Sequence, residues 1–300
     1  MNKISFEECV PFVDKLMASP NESPGLSGGM MGQCLFYYWM SRKTHREEYE
    51  ETADKLLEEV LDNLKSNQVF TFENGLLGTG WALNHLLQYE FVSGEADGIF
   101  EELDYLARIA LSQIAFNPNL FFDFGLYFTG RYLNTKQNEF ASSRKKIKHD
   151  LLTLLLQLNF FVERSNPDVF FKYAKESNSS FVVNNPLFKS LYILIQCYKS
   201  GIFNYRVLKF IRYFFKILID CREQLTLQNR KYLCLLINNF KEALGEQENN
   251  DITDLITNYF SMEKSAGIAN DKDNPEFFTD GSCIYLFTNH IFIPLISITG

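Results

Sequence analysis

Stretches that are apolar on all sides alternate with amphipathic stretches along the first half of the chain. The apolar ones are GLSGGMMGQCLFYYWM from Gly25, GLLGTGWALNHLL from Gly75 and GLYFTGRYL from Gly125. Residues 46–67 and 99–115 lie between them and carry apolar side chains at helical spacing, in the second case Leu103, Leu106, Ile109, Ala110 and Ile114. Because this spacing places apolar side chains on one face of a helix, the pattern predicts buried inner helices that alternate with polar-faced outer helices.

A glycine motif recurs with a fixed period in this region. Gly25, Gly75 and Gly125 lie 50 residues apart, and the last two copies share a Thr-Gly pair at the same offset, Thr79-Gly80 and Thr129-Gly130. We expect each leading glycine to start an inner helix, where it permits turn dihedrals and close backbone approach. A helix pair cannot bury its apolar face alone, so repeated pairs stack into an open solenoid or a closed ring. Inner helices that are apolar all round favour the ring.

The glycine signature is clear in residues 1–135 and degenerate in residues 136–300. The helical pattern continues there, in residues 151–162, 187–198, 205–220 and 232–244. The alternation of apolar and polar residues that is typical of a β-strand is not found outside the last 20 residues. The sequence predicts one all-α domain over residues 1–300, an (α/α) ring of about six helix pairs.

Composition and charge narrow the classes of function. The net charge is -8 and the pI is about 5.2, which argues against a nucleic-acid-binding protein. The compact basic run of Arg144, Lys145, Lys146 and Lys148 is interpreted as a solvated loop or helix start. No stretch is apolar and long enough to span a membrane, Met1 to Leu16 lacks an apolar signal region, and the six cysteines show no CxxC spacing. A reduced, cytoplasmic protein is expected.

The glycine repeats resemble those of the lanthionine synthetase C-like family. GLLGTGWALNHLLQYEF, followed by an acidic helix reaching Asp104, resembles that family's second repeat, and the segments from Gly25 and Gly125 resemble the first and third. The resemblance implies an (α/α) toroid of six or seven helical hairpins. In catalytic members two Cys and one His hold a zinc ion, which lowers the pKa of a peptide Cys thiol. That thiol adds to a dehydrated Ser or Thr and closes a thioether ring.

Most of the residues that the resemblance assigns to the zinc site are missing. Asn185-Pro186 stand where the family has His-Gly, and Ala269-Asn270 stand where it has Cys-His. Cys234 falls near the first zinc Cys, and Phe121 takes the place of an Asp, with Asp123 nearby but out of register. The chain contains no Cys-His dipeptide at all. No cofactor is expected, and zinc would be bound only if the cyclase site were retained elsewhere.

Two further observations bear on a metal site. Cys234 is either a residual ligand or a buried small hydrophobic residue. Cys283 and His290 are seven residues apart, so they would share a face if this segment were helical, but no third ligand is evident. The sequence therefore predicts no metal site.

Carboxylates and one histidine are the remaining candidates for catalysis. Glu73, Asp123 and Asp280 each precede a glycine closely, and paired carboxylates would suit an (α/α) toroid that acts on carbohydrate. The alternative interpretation is that they cap helix N-termini. His85 follows Trp81 by four residues on an inner helix, where it either lines the centre of the ring or lies in the core.

The leading hypothesis is a diverged lanthionine synthetase C-like protein that lacks the catalytic zinc site. Its partner would be a peptide substrate or a peptide-modifying enzyme, with no nucleic acid and no membrane span. The alternatives are an active zinc-dependent thioether cyclase with displaced ligands and an (α/α) toroid carbohydrate-active enzyme.

Overall fold

A computed structural model describes residues 25–26, 29–64, 69–72, 74–94, 96–115, 117–134, 142–165, 186–225, 283–288 and 291–295, together with parts of 230–241 and 257–262. These residues are predominantly α-helical, which confirms the predicted all-α class. The exception is a two-stranded antiparallel hairpin. It falls within the last 20 residues, the only region for which the sequence did not argue against β-strands. The chain divides into two compact units, Met1–Gln113 with Pro275–Gly300, and Ile114–Asn274.

Within its described residues, the first unit contains two helical hairpins and the strand pair. Its elements are α1 (Met30–Thr44), α2 (Glu47–Leu64), α3 (Leu76–Gln88), α4 (Ala96–Gln113), β1 (Cys283–Thr288) and β2 (Ile291–Leu295). Helix α1 packs against α2, α3 and β1, and α3 packs against α4. The residues of α1 from Met30 to Met40 are all buried, whereas α2 is largely exposed on its acidic side. This confirms the predicted alternation of buried and polar-faced helices in this unit.

A close backbone crossing explains the glycines of the GLLGTG motif. Residues 69–72 run across the start of α3, where the Leu76 amide donates to the Val69 carbonyl (2.9 Å). Gly75 is the N-cap of α3, as predicted. A Cβ at Gly78 would overlap the backbone carbonyl oxygen of Phe72 and lie 3.3 Å from the Leu26 Cβ. The motif therefore serves close packing of the main chain.

The described part of the second unit contains four longer helices and shorter helical pieces. They are α5 (Pro118–Asn134), α6 (Ser142–Arg164), α7 (Pro186–Lys199) and α8 (Asn204–Asp220), followed by a 3-10 turn (Arg222–Gln224) and by helical residues within 230–241 and 257–262. Helix α5 packs against α6 and α7, and α7 packs against α8. The basic run of the sequence lies in the first two turns of α6, in agreement with a helix start, and its three lysines are exposed.

The prediction that the leading glycine starts a helix was wrong for Gly25, because α1 begins at Met30 after the N-cap Gly29. It was also wrong for Gly125 in the third motif. Helix α5 begins seven residues earlier, because Asn117 and Pro118 form a favourable start: the Leu120 amide donates to Asn117 Oδ1 (2.9 Å). Gly125 instead lies inside α5, where an added Cβ would be 2.8 Å from the Cγ2 of Ile193 on α7. Its function is to let two helices approach closely.

Removing this cap is expected to weaken α5. The Asn117→Ala variant should lower the free energy of unfolding by about 1 kcal/mol, because a helix N-terminal amide loses its acceptor. Asn119→Ala is the matched control, since Asn119 is exposed inside the first turn and Ala has the higher helix propensity. Urea titrations of both variants measure the difference. Equal stability of the two variants would contradict the cap.

None of the helices among the described residues has the length and apolar character required to cross a membrane.

Candidate functional site

Aromatic rings gather around His85 where α1 and α3 pack together. The Trp81 ring stacks on the imidazole of His85, with centroids 5.4 Å apart and planes 22° apart. The Tyr89 ring lies 4.4 Å from the imidazole, and the Trp39 ring lies 6.1 Å from it. We name this group the His85 cluster; its members are Trp39, Trp81, His85, Tyr89 and Phe91.

An exposed arginine covers one side of the His85 cluster. The guanidinium carbon of Arg42 lies 3.6 Å from the centroid of the Phe91 ring and 5.7 Å from that of Trp39. Its Nη2 donates to the main-chain carbonyl of Tyr89 at 2.6 Å. Arginine over an aromatic face is a favourable cation–π arrangement. Arg42 thus joins the end of α1 to the turn that follows α3.

Two ring nitrogens in the cluster are buried without hydrogen-bond partners in the part of the chain that the structure describes. They are Nε2 of His85 and Nε1 of Trp39, and both side chains are less than one-tenth exposed. Burial lowers the pKa of His85 to about 4, and the positive charge of Arg42 acts in the same direction. The imidazole is therefore neutral at pH 7, where it can accept or donate a hydrogen bond but carries no charge.

The neighbouring polar groups on α1 serve structure and are poorly suited to catalysis. The Tyr38 hydroxyl donates to Asp54 Oδ1 on α2 (2.5 Å), and the Cys34 thiol donates weakly to the Ala53 carbonyl (3.5 Å). Burial raises the pKa of the Cys34 thiol well above its usual range, and the nearby Asp54 adds to the effect. A thiol that stays protonated is a weak nucleophile. These contacts fix α1 against α2.

The sequence-derived metal candidates do not come together among the described residues. Cys234 is a buried cysteine that forms no disulfide, and it lies in the helical residues within 230–241. Cys283 lies in strand β1, so the helical spacing assumed for it and His290 does not apply, and His290 lies outside the described residues. In the described part of the chain no three His, Cys, Asp or Glu side chains are placed to hold a metal ion.

The candidate carboxylates are only partly described. Glu73 and Asp280 lie outside the described residues, as do Asn185 and the Ala269-Asn270 pair. Asp123 is half-buried and is the sixth residue of α5, so it does not cap that helix; Asn117 does. The capping interpretation of Asp123 was therefore wrong, because the Asn-Pro start lies upstream of it.

Sequence reasoning noticed His85 and Trp81 but missed the other rings of the His85 cluster. Trp39 and Tyr89 both stand 14 residues after the leading glycine of their repeat, Gly25 and Gly75, and their rings lie 5.8 Å apart. Equivalent positions in stacked repeats tend to be neighbours in space. Comparing repeats position by position would therefore have identified this pair.

Comparisons with family models, with curated proteins and with solved structures find no match to this chain. The resemblance to the lanthionine synthetase C-like family therefore depends on the residues of the glycine repeats.

Proposed function

We propose that this chain is a diverged lanthionine synthetase C-like protein, an (α/α) toroid without the catalytic zinc, which binds a peptide or a peptide-modifying enzyme. The observation that carries the proposal is the recurrence of the glycine motif at 50-residue spacing. The largely buried α1 and α3 alternate with the amphipathic α2 and α4, which is the arrangement expected of such repeats.

Loss of the metal is supported by the residues available. A catalytic zinc site needs three protein ligands and an open position. The chain has only four histidines, and none of them follows a cysteine directly. Of the three that the structure describes, His45 and His149 are exposed, and His85 lies among aromatic rings. The residues present do not fit the zinc set of the cyclases, so no step of thioether formation is assigned to them.

The His85 cluster supports binding as the retained activity. Trp81, Tyr89 and Phe91 are half-buried, so their rings combine a fixed position with some access from outside. Rigid aromatic side chains bind apolar and aromatic groups at a low cost in conformational entropy. His85 and Trp39 offer ring nitrogens to a peptide carbonyl, and Arg42 offers a charge.

Metal content tests the zinc-free part of the proposal. Full-length protein purified from zinc-supplemented cultures should contain on the order of 0.1 equivalents of zinc or less by mass spectrometry, because a single cysteine binds zinc weakly. The Cys234→Ala variant should give the same low value. Zinc near one equivalent that is lost in Cys234→Ala or His290→Ala would instead support the cyclase with displaced ligands.

Peptide selection tests the binding part. The full chain would be incubated with a pool of random linear peptides, and retained peptides would be identified by mass spectrometry. We expect reproducible enrichment that weakens in the Trp81→Ala variant, because an exposed part of the aromatic surface is removed. Lys55→Ala, an exposed change on α2, which contributes no residue to the His85 cluster, is the control. No enrichment over a blank support would contradict a peptide-binding role.

A further inference from the structure

The second unit carries a concentration of positive charge that the whole-chain composition conceals. The stretches 142–165 and 186–225 contain 12 Lys and Arg against 4 Asp and Glu, whereas the chain as a whole contains 29 against 37. One of those four acids, Asp150, is buried. Helices α7 and α8 have no carboxylate before Asp220. A basic surface on an acidic protein indicates a local electrostatic function.

Packing brings the start of α6 to the start of α8. The Nζ of Lys148 on α6 lies 5.4 Å from the ring centroid of Phe203, the residue that precedes α8. Lys145 is one turn from Lys148, and Arg206 is one turn from Lys209, so each pair shares a helix face. We name this surface the α6–α8 basic patch; its members are Lys145, Lys148, Arg206 and Lys209.

The four cations of the α6–α8 basic patch are available to a ligand. All four side chains are exposed, and none forms an ion pair within the described part of the chain. The first turn of α6 and that of α8 contain no acidic residue. Lys145 and Arg206 lie in these first turns, where the helix dipole opposes a positive charge, so their placement is unfavourable for the helices themselves. An anionic partner would relieve this repulsion.

An exposed aromatic residue and a strained turn adjoin the patch. Tyr205 is 86% exposed, the largest exposure among the big apolar side chains of the described residues. Phe203 has a left-handed backbone conformation with φ of 49°, which bulky residues rarely adopt. Such strain often marks a functional surface. Tyr205 would supply contact area for an aromatic or aliphatic group beside the cations.

We propose that the α6–α8 basic patch binds an acidic peptide segment that also carries an aromatic side chain. This inference rests on the proposed peptide-binding role. A long nucleic acid is disfavoured because the chain has a net charge of -8 and the exposed side of α2 is rich in Glu. A membrane surface is disfavoured because the apolar face of α8, including Phe210 and Phe214, is buried. A short acidic peptide avoids both difficulties.

Two labelled peptides, one of Glu residues around a single Phe and one with Gln in place of Glu, provide the test. Fluorescence anisotropy with the full chain at low salt should give a dissociation constant about tenfold lower for the Glu peptide. The preference should shrink at high salt, because these charges are exposed. The double variant Lys148→Glu with Lys209→Glu should remove the preference. Lys43→Glu with Lys55→Glu changes the net charge equally on the other unit and should retain it.

Each result decides between named alternatives. Equal loss in both double variants would overturn the inference in favour of a general charge effect. Tighter binding of a single-stranded oligonucleotide, or of phosphatidylserine vesicles, that is lost only in the patch variant would overturn it in favour of that partner. If the random pool yields ligands but the Glu peptide shows no preference, the patch inference fails and the proposed function stands; if no peptide binds, the proposed function fails too. Circular dichroism checks that each variant is folded. If the Lys148→Glu with Lys209→Glu variant misfolds, Lys148→Gln with Lys209→Gln replaces it.

Discussion

The Gly78→Ala variant is expected to be about 3–5 kcal/mol less stable than the natural protein. The added methyl group would overlap the carbonyl oxygen of Phe72, which belongs to the main chain crossing the start of α3. A side chain could rotate away from such an overlap, but here the backbone of residues 69–72 has to move. That movement would also break the hydrogen bond from the Gly78 amide to the Thr71 carbonyl (3.4 Å). Guanidinium titrations followed by circular dichroism measure the loss.

Gly98→Ala is the matched control for this prediction. Gly98 lies in α4, and nothing lies within 4 Å of the position that its Cβ would take. Alanine there should stabilise the protein by about 0.5–1 kcal/mol, because it restricts the unfolded chain and favours the helix. The two substitutions are chemically identical, so their opposite signs depend only on the surroundings. If both variants shifted stability in the same direction, the close crossing over α3 would be refuted.

Acid is expected to destabilise the protein through His85 by about 3 kcal/mol between pH 7 and pH 4. Burial lowers the pKa of this imidazole from 6.5 to about 4 in the folded protein. Below pH 6.5 the unfolded chain therefore binds a proton that the folded chain does not, and stability falls with pH until the folded pKa is reached. The neutral ring stacked on Trp81 has no described group that would accept the proton of a charged one.

A non-titrating variant isolates this contribution from that of the carboxylates. His85→Gln should lose less stability than the natural protein over the same pH range, by about the 3 kcal/mol assigned to the imidazole. His149→Gln removes an exposed histidine from α6 and serves as the control. Free energies of unfolding at several pH values between 7 and 4 give the three profiles. Parallel profiles for the natural protein and His85→Gln would show that His85 is hydrated in the folded state.

The periodicity of apolar residues predicted that α4 is a helix but did not predict which of its residues are buried. The spacing correctly predicted an amphipathic helix, and Ala110 is buried as expected, but Leu106 is 37% exposed, and Ile114, which was predicted to continue the face, follows the end of α4 and is 41% exposed. The buried positions are Phe100, Asp104, Ala107, Ala110 and Leu111. The apolar stripe of α4 is wide enough for the helix to pack in more than one rotation about its own axis. Contact with α3 selects one of these rotations. No pattern of apolar residues predicts a buried Asp104.

The sequence by itself determined the helical class, the buried character of α1 and α3, and the absence of a Cys-His pair, because these depend on local periodicity and on which residues are present. Only the tertiary structure decided that Gly78 lies against the main chain of Phe72, whereas Gly125 lies against the side chain of Ile193. It alone gathered Trp39, Arg42 and Phe91 around His85, and Lys148 beside the start of α8. Except for the crossing at Gly78, which involves the segment just before α3, these arrangements join residues far apart in the chain, and their geometry is set by how helices pack against one another.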